Sequence, residues 1–595
     1  MKKIILITVL LAFNHSFSQI TIEGFIFDKS TNESLPYATV QTVSKSNKNY
    51  YTISNEDGKF EINVELNTDS LLVRTIGFKT KKVPISYFKS NKTLYLSPNI
   101  YNLNTVLIVA KKDKNYAYNL LSSLIKKYQN KKRITSSKAF LTLTSSARGI
   151  PIEIVEGFYN SKQSLLKGIV DFKLKGGRFG QKRSFPFYSL NNTDILKDFQ
   201  LFGKASNILP LYPGNLSSGA IKWKYKVKID SCNNCSNQDI SISFKPKRPS
   251  GRFFSGTIIF NNKTQTIKKI QIDIIDPKIK RLAAIEKNDI VTPKSIKINI
   301  NFNPVDYEII QSIDFELTMY YKSTESFEII SSNSFLYFYD YNKPFEEPYF
   351  TNNIDFRNDY DKIMALQSSD DFWNSNYQFP KSFKEEKAID YFKNNGYLIN
   401  YNNNTPASYL SLIKPSILPW RKDRLADWKN IKVTLEKTRN KKSSISGVDP
   451  SGELKGDKVF YSYGDMKRYM TNQKGKEKFN FSYALDSYFK KGEIQFVTQT
   501  LFNRATSFYP YNRTQNKLIY IGVIFDIYEV FNRELKHQLK NITNFNDAKV
   551  ACYTKFKEAT DLVNQMKSDT ELGLNSKKLK RWSERIKLKL NGNSE

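Results

Sequence analysis

Alternation of apolar and polar residues is the commonest pattern in this chain up to about residue 341. It begins with Thr39-Val40-Gln41-Thr42-Val43, Phe60-Glu61-Ile62-Asn63-Val64 and Leu71-Leu72-Val73-Arg74. Asp57-Gly58 before the second run marks a tight turn, because glycine reaches positive φ without steric cost. Short strands joined by polar turns predict a small β-sandwich over residues 19–108. The period then lengthens. Ala117, Leu120, Leu121, Leu124, Ile125 and Tyr128 recur at helical spacing and predict a helix over Asp113–Arg133. Alternation returns in Lys222–Ile229, with Trp223, Tyr225, Val227 and Ile229 opposite four lysines, and again at Ile240, Ile242 and Phe244. It continues through Ile296–Phe302, Ile313–Tyr321 and Phe335–Tyr339. One wet face and one apolar face describe a large curved antiparallel sheet. Between Ser334 and Tyr341 aromatics occupy both parities, so the second face there is covered or holds a ligand.

From about Pro344 the strand signal fades, and residues 346–400 read as a mixed helical linker region with helices near Asp355–Ser369 and Glu385–Asn395. Residues 401–595 read as an α+β region with a mobile loop near 440–457, a buried strand at Leu518–Phe525 and helices at the end. The fold class expected is therefore multidomain and mainly β with α: a β-sandwich, a helix plus large antiparallel sheet over 109–345, and an α+β C-terminal region. Met1-Lys2-Lys3, the apolar run Ile4–Phe13 and the small residues of Ser16-Phe17-Ser18 have the order of a secretory signal peptide over residues 1–18. Cleavage is expected between Ser18 and Gln19. That predicts export to the periplasm or cell envelope, with peripheral outer-membrane association left open.

The first unit resembles the carboxypeptidase regulatory-like domain, a transthyretin-like sandwich common at the N-termini of Bacteroidetes envelope proteins. The residues that carry the resemblance are Gly24, Asp28, Leu35-Pro36-Tyr37-Ala38-Thr39-Val40, Thr52, Asp57-Gly58, Phe60 and Ile76-Gly77-Phe78. It implies no peptidase chemistry. A looser resemblance, to a Bacteroidetes group with the same sandwich, runs over residues 113–375. It rests on Trp223-Lys224-Tyr225, Ile240–Lys245, Pro246, Phe254-Ser255-Gly256, Thr264, Ile267 and Asp371-Phe372-Trp373. A helix followed by a long antiparallel sheet also looks like the half-barrel of lipoprotein carriers, a likeness of architecture alone.

Composition narrows the chemistry. The formal net charge is +35, yet no basic motif of a nucleic-acid fold accompanies it, and Lys, Asn and Ile are all abundant, so no nucleic-acid partner is expected. Cys232 and Cys235, two residues apart between strands, are expected to form a hairpin-loop disulfide rather than a redox or zinc site. His537 is the sole histidine beyond the signal, which removes Ser-His-Asp, Cys-His and His-rich zinc mechanisms together. Lys175-Gly176-Gly177-Arg178-Phe179-Gly180 lacks the Gly-Lys-Ser/Thr ending of a phosphate loop and reads as a turn or flexible lip. Glu153 and Glu156, three apart on a strand, point to opposite faces and make a poor catalytic pair. No catalytic residue, cofactor or metal site is expected. The function expected is that of a non-catalytic envelope protein that binds an envelope protein partner or an apolar, lipid-like ligand on the sheet. The alternative is a carbohydrate-binding or carboxylate-dependent glycan-active protein, for which the 14% of aromatic residues would supply stacking surfaces.

Overall fold

The computed structural model describes residues 19–44, 50–98, 115–184, 189–230, 239–279, 288–352, 358–401, 416–421, 477–508 and 514–592, apart from short internal stretches, with isolated positions between 280 and 357. Residues 1–18, Cys232, Cys235 and the loop at 440–457 lie outside the described residues.

Seven strands build the N-terminal sandwich: β1 (Gln19–Asp28), β2 (Thr39–Ser44), β3 (Tyr51–Ile53), β4 (Lys59–Glu65), β5 (Thr68–Arg74), β6 (Lys81–Pro84) and β7 (Thr93–Leu96). One sheet has the order β4-β1-β7 and the other β3-β2-β5-β6. The alternation read in the sequence puts Val40, Phe60, Ile62, Val64, Leu71 and Val73 between them. Gly58 has φ +78°, and a Cβ there would lie 2.5 Å from the carbonyl oxygen of Ile26. The Asp57-Gly58 turn therefore admits only glycine without strain.

Eleven strands form the central sheet. In chain order they are β8 (Ile134–Ala147), β9 (Ile150–Ser164), β10 (Gly168–Lys182), β11 (Tyr225–Asp230), β12 (Asp239–Pro246), β13 (Ser255–Asn261), β14 (Thr266–Ile275), β15 (Ile290–Phe302), β16 (Ile310–Lys322), β17 (Phe327–Tyr339) and, after the two-residue β18 (Tyr349–Phe350), β19 (Gly396–Ile399). The spatial order runs β11 to β17, then β8, β9, β10 and β19. Helix α1 (Tyr116–Gln129) lies on the apolar face together with residues 189–225, whose Phe202 and Tyr212 rings meet Tyr128 and Phe244. This face was the expected binding surface. It is covered by the chain itself, and Ile240, Ile242, Phe244, Ile298 and Ile300 are all buried beneath that cover.

Trp223 departs from the expected strand. Residues 218–224 are helix α2 (Ser218–Lys224), capped by Ser217 and buried through Ile221, and the strand starts at Tyr225. The helix leaves Trp223 72% exposed. A Lys-Trp-Lys alternation cannot mark where a strand starts when the preceding turn has its own cap.

The other face is apolar only at one end of the sheet. Phe140, Phe158, Phe335, Tyr337 and Tyr339 project there and are covered by Phe372, Trp373 and Phe379. This accounts for the aromatics on both parities of β17. The covering segment contains helices α3 (Asp359–Ala365), α4 (Asp370–Asn376) and α5 (Phe383–Asn395). Residues 346–400 are thus packed against the sheet and supply its edge strand β19, where a linker region was expected. Ser382 and Glu385 form a reciprocal capping box that starts α5. The glycines of Lys175–Gly180 are mid-strand rather than a flexible lip. A Cβ on Gly177 would lie 2.6 Å from Ile363 of α3, and one on Gly176 3.2 Å from Phe372 of α4. They are small so that helices can approach the sheet on both sides.

The C-terminal unit is a four-stranded sheet, β18 with β20 (Ile417–Pro419), β21 (Lys478–Lys490) and β22 (Glu493–Phe508), packed by α6 (Gln515–Leu539), α7 (Phe545–Asp569) and α8 (Ser576–Gly592). Leu518–Phe525, expected as a strand, is the first half of α6. That helix is apolar nearly all round because strands and two helices enclose it, and an eight-residue apolar run does not distinguish the two cases. Lys175 of β10 is buried and pairs with Asp486 of β21, and its Nζ also donates to the carbonyls of Glu346 and Ser487. This tie joins the C-terminal sheet to the central one.

Cys552 sits buried in α7, and burial pushes its thiol up to about 12. A thiol reagent at pH 8 is expected to leave Cys552 unmodified in the folded protein and to label it only after guanidinium unfolding. Rapid labelling without denaturant would show that α7 opens locally.

Candidate functional site

The sandwich docks on the central sheet through few, specific contacts. Tyr37 follows β1 in a left-handed backbone conformation, φ +60°, which costs a bulky residue about 1–2 kcal/mol. That conformation aims its ring at Phe335 of β17, where the two stack with centroids 4.0 Å apart and planes 7° from parallel. Gln311 Nε2 of the sheet donates to Thr39 Oγ1 of β2 at 3.0 Å. A second anchor lies at the start of α5. Asn55 Nδ2 donates to the carbonyls of Pro380 and Lys381 at 3.3 and 2.9 Å, and Asp57 Oδ2 accepts from the Phe383 amide at 2.7 Å. A carboxylate at a helix N-terminus is favourably placed against its dipole.

Ile53 of β3 packs beside these anchors in the aromatic cluster of Phe335 and Phe379, and next to them a groove of about 590 Å³ remains. Its floor is the polar face of β14–β17. Cross-strand pairing sets Lys269 opposite Asn301, Asn301 opposite Ser312 and Ser312 opposite Tyr337. The adjacent row sets Gln271 opposite Asn299, Asn299 opposite Asp314 and Asp314 opposite Phe335. Side chains along these rows bond to one another. Asn299 Nδ2 donates to Asp314 Oδ2 at 3.0 Å, Gln271 Nε2 to Asn299 Oδ1 at 3.3 Å, and Asn301 Nδ2 to Ser312 Oγ at 3.0 Å. Phe302 and Tyr307 form one rim, and Arg74, Thr75 and Phe78 of the sandwich form the roof.

Charge in the groove is partly balanced. Lys268 Nζ pairs with Asp239 Oδ2 at 2.7 Å. Lys269 has no hydrogen-bond or ion-pair partner among the described residues, although it feels the Asp314 carboxylate. Burial pushes the Lys269 ammonium below its ordinary value against that attraction, and burial likewise raises the Asp314 carboxyl. Arg74 donates through Nη2 to Gln41, but its buried Nε has no partner.

The buried carboxyls singled out in the sequence lie elsewhere. Glu153 faces the main core, accepting from the Ser189 amide and hydroxyl and from Tyr360 Oη at 2.6 Å. Glu156 points to the opposite face, accepting from Arg178 Nε and Tyr401 Oη, both at 2.7 Å. Arg178 is itself stacked between Trp373 and Tyr401. The Arg178 guanidinium counters the burial of Glu156 and holds it below its ordinary value. Burial and the nearby Glu156 charge raise Glu385 to about 7. Glu156 and Glu385 share a cavity of about 50 Å³, room for a few waters and no substrate.

Residues 22–108 match the family model described as the CarboxypepD_reg-like domain. The N-terminal unit is a carboxypeptidase regulatory-like domain. Its Tyr37 and Thr39, within the Leu35–Val40 run that carried the resemblance, are the residues that meet the central sheet. Among solved structures, a chain of the Pseudomonas aeruginosa MucA/MucB complex is similar at 6% identity over 37% of this chain and 93% of its own, with a TM-score of 0.14. A structure of MucB in complex with MucA(peri) is similar at 4% identity with the same coverage and a TM-score of 0.13. Comparison with curated proteins gives no match.

The polar residues of the groove floor were not singled out from sequence. Their signal is a change along the wet parity: lysines face solvent on β11, but the corresponding positions on β15 and β16 are Asn299, Asn301, Ser312 and Asp314. No helix among the described residues is long and apolar enough to cross a membrane.

Proposed function

We propose that this chain is an exported, non-catalytic binding protein of the cell envelope that holds its ligand or partner in the groove roofed by the regulatory-like domain. The observation that carries this reading is the 590 Å³ space itself, walled by aromatic rings and floored by polar side chains. Its size falls in the roughly 300–1,000 Å³ range of ligand sites, which also gather at domain interfaces. The apolar face is packed by α1 and residues 189–225, which favours a polar ligand over an apolar one. A non-catalytic role is supported by the carboxyls: each of Glu153, Glu156 and Glu385 is engaged by neighbouring donors, away from the groove floor. Export is supported by the residue order of positions 1–18.

Asn301→Trp fills the groove from the middle of its floor. A ligand class drawn from peptides, glycans and lipids is expected to raise the melting temperature of the wild-type protein and leave that variant unmoved. Near-identical circular dichroism of the two proteins checks that the variant folds. If no class shifts the wild type, or the shift survives in Asn301→Trp, the groove is not the binding site.

A further inference from the structure

The groove's chemistry narrows its occupant, given that it is the ligand site. The floor strands β14–β17 are interior strands whose main-chain groups are spent on their neighbours. An extended peptide therefore finds no free strand edge to pair with, and recognition rests on side chains. Those side chains are amides, a hydroxyl and a carboxylate held in cross-strand rows, with both donors and acceptors fixed in place. Fixed planar polar groups suit a ligand carrying many hydroxyls. Of the aromatic residues that border the same space, Phe78 and Tyr307 are only partly buried and offer ring faces for the apolar side of a sugar ring, whereas Phe302 and Tyr337 are packed away in the core and the aromatic cluster. An acyl chain, by contrast, would strand Lys269, Asp314 and the amides against hydrocarbon, an unpaired burial that is strongly unfavourable.

Cations outnumber carboxylates along the groove, Arg74, Lys268 and Lys269 against Asp239 and Asp314. Lys268 is matched by Asp239, whereas Lys269 on the floor and Arg74 in the roof have no ion-pair partner among the described residues. Arg74 pairs across the strand with Thr39, the residue bonded to Gln311, and lines the same space as Ser312, Asn301 and Lys269. A carboxylate entering between roof and floor would complete both cations, and such charge-assisted bonds are the strong ones.

We propose that the groove binds an acidic oligosaccharide, about two or three rings long by the size of the space, with uronic-acid carboxylates received by Lys269 and Arg74 and hydroxyls by the Asn299–Asp314 and Asn301–Ser312 pairs. The overall charge of +35 favours the encounter with a polyanionic glycan.

The test uses the mature chain, isothermal titration calorimetry and uronic-acid trisaccharides of the galacturonate, mannuronate and glucuronate types, each paired with its methyl ester. The ester removes the charge and keeps the ring. At least one acid is expected to bind with an affinity about tenfold or more above that of its ester, the gain weakening with added salt. Lys269→Gln is expected to abolish that preference while leaving binding of the ester unchanged, which a merely unfolded variant would not do. Equal binding of acid and ester, or an unchanged preference in Lys269→Gln, would overturn the carboxylate assignment. If no trisaccharide binds while another ligand class gives an Asn301→Trp-sensitive thermal shift, the glycan proposal falls and the groove reading stands. If nothing binds at all, both fall.

Discussion

Replacing Phe158 by alanine is expected to destabilise the central domain by about 3–5 kcal/mol, the usual cost of deleting a large aromatic from a tightly packed core. Phe158 is fully buried on β9 and touches rings from two directions. Phe140 lies beside it on β8, while Phe345, Phe372 and Trp373 close over it with centroids between 4.9 and 6.1 Å. The cavity left by alanine has little to collapse into it, since the strand backbones are fixed by pairing on both sides. The loss also reaches the groove. Phe379 stacks on Phe140, and the next residues, Pro380 and Lys381, hold Asn55 of the regulatory-like domain. Urea unfolding followed by fluorescence measures the first effect. Hydrogen exchange of the Phe383 amide, which donates to Asp57, measures the second, with faster exchange expected in Phe158→Ala. A loss below about 1 kcal/mol would mean that this aromatic cluster is not a tightly packed core.

Much of this architecture is legible in the sequence because one periodicity governs it. Alternation locates the sandwich and five of the eleven central strands, β11, β12, β15, β16 and β17, and the 3.6-residue spacing finds α1. What stays hidden depends on residues far apart in the chain. The cover over the apolar face comes from residues 189–225, where short helices and turns carry no long periodic stripe. The glycines of β10 look like loop residues until α3 and α4 are seen pressed against them. Leu518–Phe525 reads as a strand because neither face of α6 is solvated. The groove is the hardest case. Tyr37 and Phe335 lie almost three hundred residues apart, and their stacking, with the Gln311–Thr39 bond, sets the sandwich over the wet side of the sheet. Glu153 and Glu156 are the converse: strand geometry alone puts them on opposite faces, and so they are found.

Stability is expected to fall as pH rises from about 5 to about 8, opposite to the usual acid-labile behaviour. Glu153 and Glu385 carry the effect, each raised to about 7 chiefly by burial. In the unfolded chain both carboxyls lose their protons near pH 4.5, so between that value and about 7 the folded state holds more protons than the unfolded one. Stability then decreases with pH through this window and levels off above it. Glu153 is fully buried and Glu385 partly so beside a small cavity, and each is worth on the order of 1–3 kcal/mol by pH 8, Glu385 at the lower end. Burial also raises Asp194, Asp314, Asp486 and Asp526, which adds to the same slope from its acidic end. Glu156 runs the other way, because Arg178 holds it low, and its contribution is lost only in acid. Glu385→Gln isolates one site. Glutamine serves the capping box equally well, still accepting from the Ser382 amide, and its amide nitrogen can donate to Thr142. That variant is expected to match the wild type at pH 5 and to exceed it by 1 kcal/mol or more at pH 8. Urea midpoints measured across the range give the comparison. A wild type that gains stability from pH 5 to 8, or a variant whose profile stays parallel to it, would show that Glu385 is ionised in the fold and paired with a cation rather than protonated beside Glu156.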